Sequence, residues 1–135
     1  MKFRALIFFV AMPLLFVISS FILKSSQTPW IAPEKAAKMP NPIKSDATSL
    51  ADGKALWVKH CQSCHGKSGL GDGSKAAQLK TEPGNFTTAD FQKQTDGSIF
   101  YKTAEGRDDM PSFKKKIPDQ DELWSIVNYV RTMKK

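Results

Sequence analysis

The stretch "KHCQSCHG", residues 59–66, contains the chain's two cysteines, Cys61 and Cys64, and both of its histidines, His60 and His65. Such crowding in a chain of 135 residues with no other member of either type points to a bound group. A disulfide between cysteines three apart would close a tiny loop and restrain little of the unfolded chain. A thioredoxin-like redox pair needs a βαβ setting, and a structural zinc needs a second pair of cysteine or histidine ligands. The chain offers neither.

Cys-x-x-Cys-His is instead the spacing at which a c-type haem is attached. Its two vinyl groups bond to the thiols, and the adjacent histidine ligates the iron. The cysteines leave a helix end one turn apart, and the histidine follows beneath the ring. Cys61 and Cys64 are therefore expected to hold one covalent haem c, with His65 as an axial ligand.

Working outward, "SDATSLADGKALWVKHCQSC" places Leu50, Trp57, Cys61 and Cys64 on one helical face, with Ser45 or Asp46 as cap. Gly53 lies on the same stripe, where it costs about 1 kcal/mol relative to alanine. A glycine there implies close approach by another backbone or a large ring. Beyond the loop "GKSGLGDGS", short helices are expected in "SKAAQLK" and "TTADFQKQ". Another is expected in "TDGSIFYKTAEG", capped by Asp96 and stopped at Gly106. The last, "PDQDELWSIVNYVRTMKK", has Asp119 as N-cap with Glu122 three residues on, and Leu123, Ile126, Val127 and Val130 as its buried face. Arg131, Lys134 and Lys135 stand at its negative end. No run alternates with period two, so the fold class is all-α.

Lys2 and Arg4 precede an uncharged run from Ala5 to Leu23, which ends at Lys24. Nineteen residues would rise about 28 Å as a helix, close to the hydrocarbon thickness. Residues 1–24 thus read as a removable signal or an uncleaved membrane anchor, and either sends the remainder out of the cytoplasm. Pro29, Pro33, Pro40 and Pro42 forbid a long helix in residues 25–44, read as a proline-rich tether, with Trp30, Ile31 and Met39 apolar enough to touch a domain. Residues 45–135 form that domain. The net charge of +7 falls to +4 without residues 1–24, and residues 45–135 carry 14 basic and 12 acidic residues. No basic stripe interleaved with aromatics suggests nucleic acid.

Residues 45–135 resemble the class I, single-haem bacterial cytochromes c. Beyond "CQSCHG", Gly53 and Trp57 stand eight and four residues before Cys61, where that family has a glycine and an aromatic that meet the C-terminal helix. "IVNYVR" is similar to the family's closing helix, with Tyr129 as the aromatic partner. "DDMPSF" is similar to its methionine loop, which implies Met110 as the second axial ligand. "EPGNF" is similar to the segment whose proline carbonyl accepts the haem histidine's Nδ1 proton, which implies that Pro83 orients His65. The resemblance implies a small helical domain wrapped around one haem, with its terminal helices crossing.

The remaining methionines support the assignment of Met110. Met1 and Met12 lie in the targeting segment, Met39 on the tether and Met133 at a helix end. Only Met110 sits in a loop between helices, fixed by Pro111. Met39 is kept as the rival ligand. His60 is expected to be solvated, Met133 to pack or be exposed, and Asp72 to be a turn residue. Trp124, Tyr101 and Arg107 are equally readable as haem-propionate partners or as core and surface residues.

These expectations describe a monomeric, exported one-electron carrier on the periplasmic side of the cytoplasmic membrane, anchored through residues 5–23 if they are retained. It needs no acid, base or nucleophile and is not an enzyme. Lys114, Lys115 and Lys116 follow the methionine loop, where they would border the haem edge and meet an acidic redox partner. Two alternatives remain: a tightly bound electron-accepting subunit of a dehydrogenase or respiratory complex, and a haem sensor or minor peroxidase with an open iron site.

Overall fold

The computed structural model describes residues 28–135, so the targeting run expected at residues 1–24 lies outside them. Six α-helices follow in order: α1 (Glu34–Ala37), α2 (Ala47–His60), α3 (Gln62–His65), α4 (Ala89–Gln92), α5 (Asp96–Glu105) and α6 (Gln120–Arg131). A short 3-10 turn, Ala76–Gln78, lies between α3 and α4. Among the described residues there is no strand; the nearest thing is one isolated antiparallel bridge between Arg107 and Met110.

The start of α2 follows from a capping box. The Asp46 carboxylate accepts from Ser49 N at 3.0 Å, and Asp46 N donates to Ser49 Oγ at 3.2 Å. The helix does not run through to Cys64 as expected. Cys61, at φ −115°, interrupts it, and one further turn carries Gln62–His65. The cap of α5 is Thr95 rather than Asp96: the Thr95 hydroxyl accepts from Ser98 N at 3.2 Å. Asp96 is thereby left in the first turn, where it pairs with Arg131 at 2.6 Å. Arg131 also donates to the carbonyls of Gln92 and Gln94 at 2.8 and 2.5 Å, tying the end of α6 to the α4–α5 junction. Asp119 caps α6, though its carboxylate accepts from Asp121 N and not from a box with Glu122.

The largest helix–helix interface is that of α2 with α6. Its stripe on α2 is Ser49, Gly53 and Trp57 rather than one led by Leu50, which is only half-buried. A Cβ on Gly53 would stand 2.7 Å from Ser125 C and 2.9 Å from Tyr129 Cβ, and would collide with the Ser125 carbonyl oxygen. The glycine is therefore what allows the two backbones to approach, as its position on the stripe implied. Trp57, Leu123, Val127 and Val130 are essentially removed from solvent and form the centre of the core.

The segment expected to be a tether is packed on the domain over part of its length. One helical turn, α1, fits between Pro33 and Pro40 and lies on α5, where Gly97 leaves room for the Ala36 and Met39 backbones; Ala36 in the turn and Ala32 just before it are buried. Asn41 Nδ2 donates to Asn128 Oδ1 at 2.8 Å, and Asn128 Nδ2 reaches Ile43 O and Ser49 Oγ at 3.2 and 3.3 Å. Buried polar groups persist only when so satisfied, and this network fastens the segment to both terminal helices.

Candidate cofactor site

Cys61, Cys64, His65 and Met110 all line one apolar cavity of about 350 Å³. That is within the usual range of roughly 300–1,000 Å³ for small-molecule and cofactor sites. Trp57, Phe86, Ile99, Phe113, Ile126 and Val130 supply much of its wall. Cys61 is buried and Cys64 half-buried, and neither is in a disulfide. Burial, and secondarily the neighbouring Cys64, pushes the Cys61 thiol up to about 12.

His65 is set by its surroundings. Its ring lies 4.6 Å from that of Phe86 and 5.8 Å from that of Trp57, and Trp57 Nε1 donates to Gly66 O at 3.2 Å, pinning the chain just past the histidine. Burial pushes His65 down to about 4, with a partial offset from the backbone of Gly84, so the imidazole is neutral at pH 7. A neutral imidazole has a lone pair to give a metal. Its Nδ1 is buried and has no hydrogen-bond partner among the described residues. Two thiols and a neutral, buried histidine on one apolar cavity fit a covalently attached haem, and the Met110 thioether lines the same cavity.

The resemblance implies Pro83 as acceptor of the His65 Nδ1 proton. Pro83 lines the cavity, but its carbonyl does not receive the His65 Nδ1 proton. It is turned toward Gly71, so closely that a Cβ there would collide with it.

Met110 is presented by a tight turn. Arg107 and Met110 exchange both backbone hydrogen bonds at 2.9 Å around Asp108, whose φ is +51°. Aspartate tolerates this left-handed conformation better than most residues. Gly106, at φ +70°, lets the turn leave α5 immediately; a Cβ there would fall 2.5 Å from the Met110 oxygen. Ser112 Oγ and the Phe113 and Lys114 amides then bond back to Ala104 O. The Asp109 carboxylate crosses to the other wall, accepting from Lys80 N at 2.7 Å and Thr81 N at 3.1 Å.

Other sequence candidates separate clearly. Met39 packs on the core and does not line the cavity, and Met133 packs beside Gly69. Trp124 is buried and stacked on Phe100 at 4.1 Å, which makes it core. Tyr101 is half-buried and away from the cavity, whereas Arg107 lines it. Asp72 is an exposed loop residue whose carboxylate lies over Gly66. His60 is not simply solvated: it is half-buried at the cavity edge, its ring 5.9 Å from that of Phe113. Lys114, Lys115 and Lys116 are exposed and outside the lining. Lys114 pairs with Glu105 at 2.7 Å, and Lys116 lies 5.6 Å from the ring of the lining residue Phe113.

Sequence reasoning missed Lys102 and the arrangement around Trp30. Lys102 and Arg107 line the cavity and face the Trp30 ring at 5.8 and 4.8 Å, and Arg107 donates to Thr28 O at 3.3 Å. Nothing in the local pattern of "KSSQTPWIAP" signals a contact with residues more than seventy positions later.

Comparison with known proteins gives the same answer. The KustC0563 c-type cytochrome is 32% identical, with a TM-score of 0.55, over 62% of this chain and 99% of that one. A chain of the Kuenenia stuttgartiensis reducing HAO-like protein complex Kustc0457/Kustc0458 has a TM-score of 0.64 at 24% identity over 82% of this chain. The match spans only 53% of that chain. Cytochrome CL from Methylophaga aminisulfidivorans MPT has a TM-score of 0.51 at 22% identity, covering 64% of this chain and 56% of that one. At those two identities the likeness shows the fold alone. No curated protein sequence matches significantly. Residues 48–130 match the family model described as cytochrome c oxidase, cbb3-type, subunit III. The span contains the cysteine pair, His65, the methionine turn and nearly all of α6, so the chain belongs to this cytochrome c family and is an all-α monohaem c-type cytochrome with covalently attached haem c.

Proposed function

We propose that the protein is an exported one-electron carrier in which His65 and Met110 are the two axial ligands. The observation that supports this most is that both side chains line the cavity that also receives Cys61 and Cys64. Bound there, haem supplies a single reversible electron, and the chain's task is to hold it with little reorganisation. Trp57, Phe86 and Phe113 keep the cavity apolar, and a neutral imidazole with a thioether favours a higher potential than two histidines would. No acid, base or nucleophile is assigned, so the protein is not proposed to be an enzyme. We place it on the periplasmic side of the cytoplasmic membrane, with Lys114, Lys115 and Lys116 beside Phe113 as the docking edge for an acidic redox partner.

Carbon monoxide tests the ligation. The reduced protein should bind it poorly and titrate reversibly with one electron; ready binding would favour an open site, as in a sensor or peroxidase. A second reading, a stable subunit of a larger assembly, is favoured by the family description. Co-purification of a stoichiometric partner would establish that role instead of a free shuttle.

A further inference from the structure

Two facts about the methionine turn have no place in the attachment chemistry. The turn contains a non-glycine residue at positive φ, Asp108, and its tip is bonded to a loop distant in sequence. Asp109 Oδ2 accepts from both Lys80 N and Thr81 N, 29 and 28 residues away. Leu79, Thr81 and Asp109 all line the cavity. The contact therefore closes the cavity rim between the 79–84 loop and the loop that carries Met110.

We propose that Asp109 is a positioning residue for the axial methionine, a latch that holds the Met110 turn against the 79–84 loop. This rests on the assignment of Met110 as ligand. The turn is otherwise held at its α5 side, through the Arg107–Met110 pair and the bonds to Ala104 O. On the cavity side, among the described residues, a second hydrogen bond runs from Arg107 to Thr28 O and does not involve the 79–84 loop. One side-chain oxygen accepting two successive backbone N–H groups ties the turn to that loop at two points. Losing it would leave the turn free to swing, taking the thioether with it. Side-chain oxygen matters here more than charge, because an asparagine Oδ1 can accept from the same two amides.

The test compares Asp109→Ala and Asp109→Asn in the haem-loaded protein, using amide hydrogen exchange and the optical spectrum. Asp109→Ala should speed exchange at Lys80 and Thr81 by about tenfold or more, weaken the sulfur-to-iron charge-transfer band of the oxidised form and raise carbon monoxide binding in the reduced form. Asp109→Asn should stay near wild type in all three. Unchanged exchange and spectrum in Asp109→Ala would overturn the latch, as would an Asp109→Asn variant that behaves like the alanine. Faster exchange at Lys80 and Thr81 with an unchanged spectrum would overturn the positioning role, and Met110→Ala then shows whether the ligand assignment has failed too. If that variant keeps the native spectrum, Met110 is not the ligand; if it loses the band, Met110 stands and only the latch falls.

Discussion

Gly53→Ala is the smallest change that probes the α2–α6 crossing. In an exposed helix the substitution would stabilise by about 1 kcal/mol, since glycine is the poorer helix former. Here the added methyl would meet Ser125 C at 2.7 Å and Tyr129 Cβ at 2.9 Å and overlap the Ser125 carbonyl oxygen. Those atoms belong to the α6 backbone and its first side-chain carbon, so no rotamer change relieves the clash and the helices must part. Overpacking of this kind costs about 1–3 kcal/mol, and backbone contacts under 3 Å place it at the upper end. The propensity gain offsets part of that, leaving a net loss of about 1–2 kcal/mol. For a domain of this size, that is a fall in Tm of roughly 4–15 °C. Parting the helices also disturbs Tyr129 and Trp57, whose rings are 6.1 Å apart, and through Trp57 the wall beside His65. Thermal or denaturant unfolding of the haem-loaded protein, followed by circular dichroism, measures the effect, and Gly53→Leu should be worse. A Gly53→Ala variant as stable as wild type, or more so, would refute the proposed closeness of the crossing.

Other substitutions test separate parts of the molecule. Asn128→Ala would leave Asn41 Nδ2 and the Ile43 carbonyl short of partners, costing about 1–3 kcal/mol in denaturant unfolding without altering the haem spectrum; no change would mean water replaces the network. Reversing Lys114, Lys115 and Lys116 to glutamate should slow electron transfer to an acidic partner at low ionic strength, with the difference fading as salt rises. A rate indifferent to charge and salt would make these lysines an ordinary solvated face.

Much of this was legible because short-range chemistry fixes it. The Cys61–Cys64–His65 spacing, the Asp46 and Asp119 caps and the apolar stripe of α6 are local patterns, and the structure repeats them. Gly53 was also readable, since a glycine inside a helix asks for a reason. The errors arise where distant segments decide. Thr95 rather than Asp96 caps α5, and Asp96 pairs with Arg131, 35 residues on, a partner the local pattern does not show. Ser49 displaces Leu50 from the buried stripe because its hydroxyl meets Lys44 O and the Asn128 amide. The resemblance points to Pro83, whose carbonyl lies against Gly71, and His65 Nδ1 has no hydrogen-bond partner among the described residues. His60 gains a wall only because the Phe113 ring comes beside it.

The central claim is that Met110 and His65 would both ligate the haem iron, and one optical comparison tests it most directly. The oxidised wild-type protein should show the sulfur-to-iron charge-transfer band. Met110→Ala should keep its haem covalently attached through Cys61 and Cys64, lose that band, bind carbon monoxide readily when reduced and drop in potential. A Met110→Ala protein that keeps the native band, potential and resistance to carbon monoxide would contradict the account.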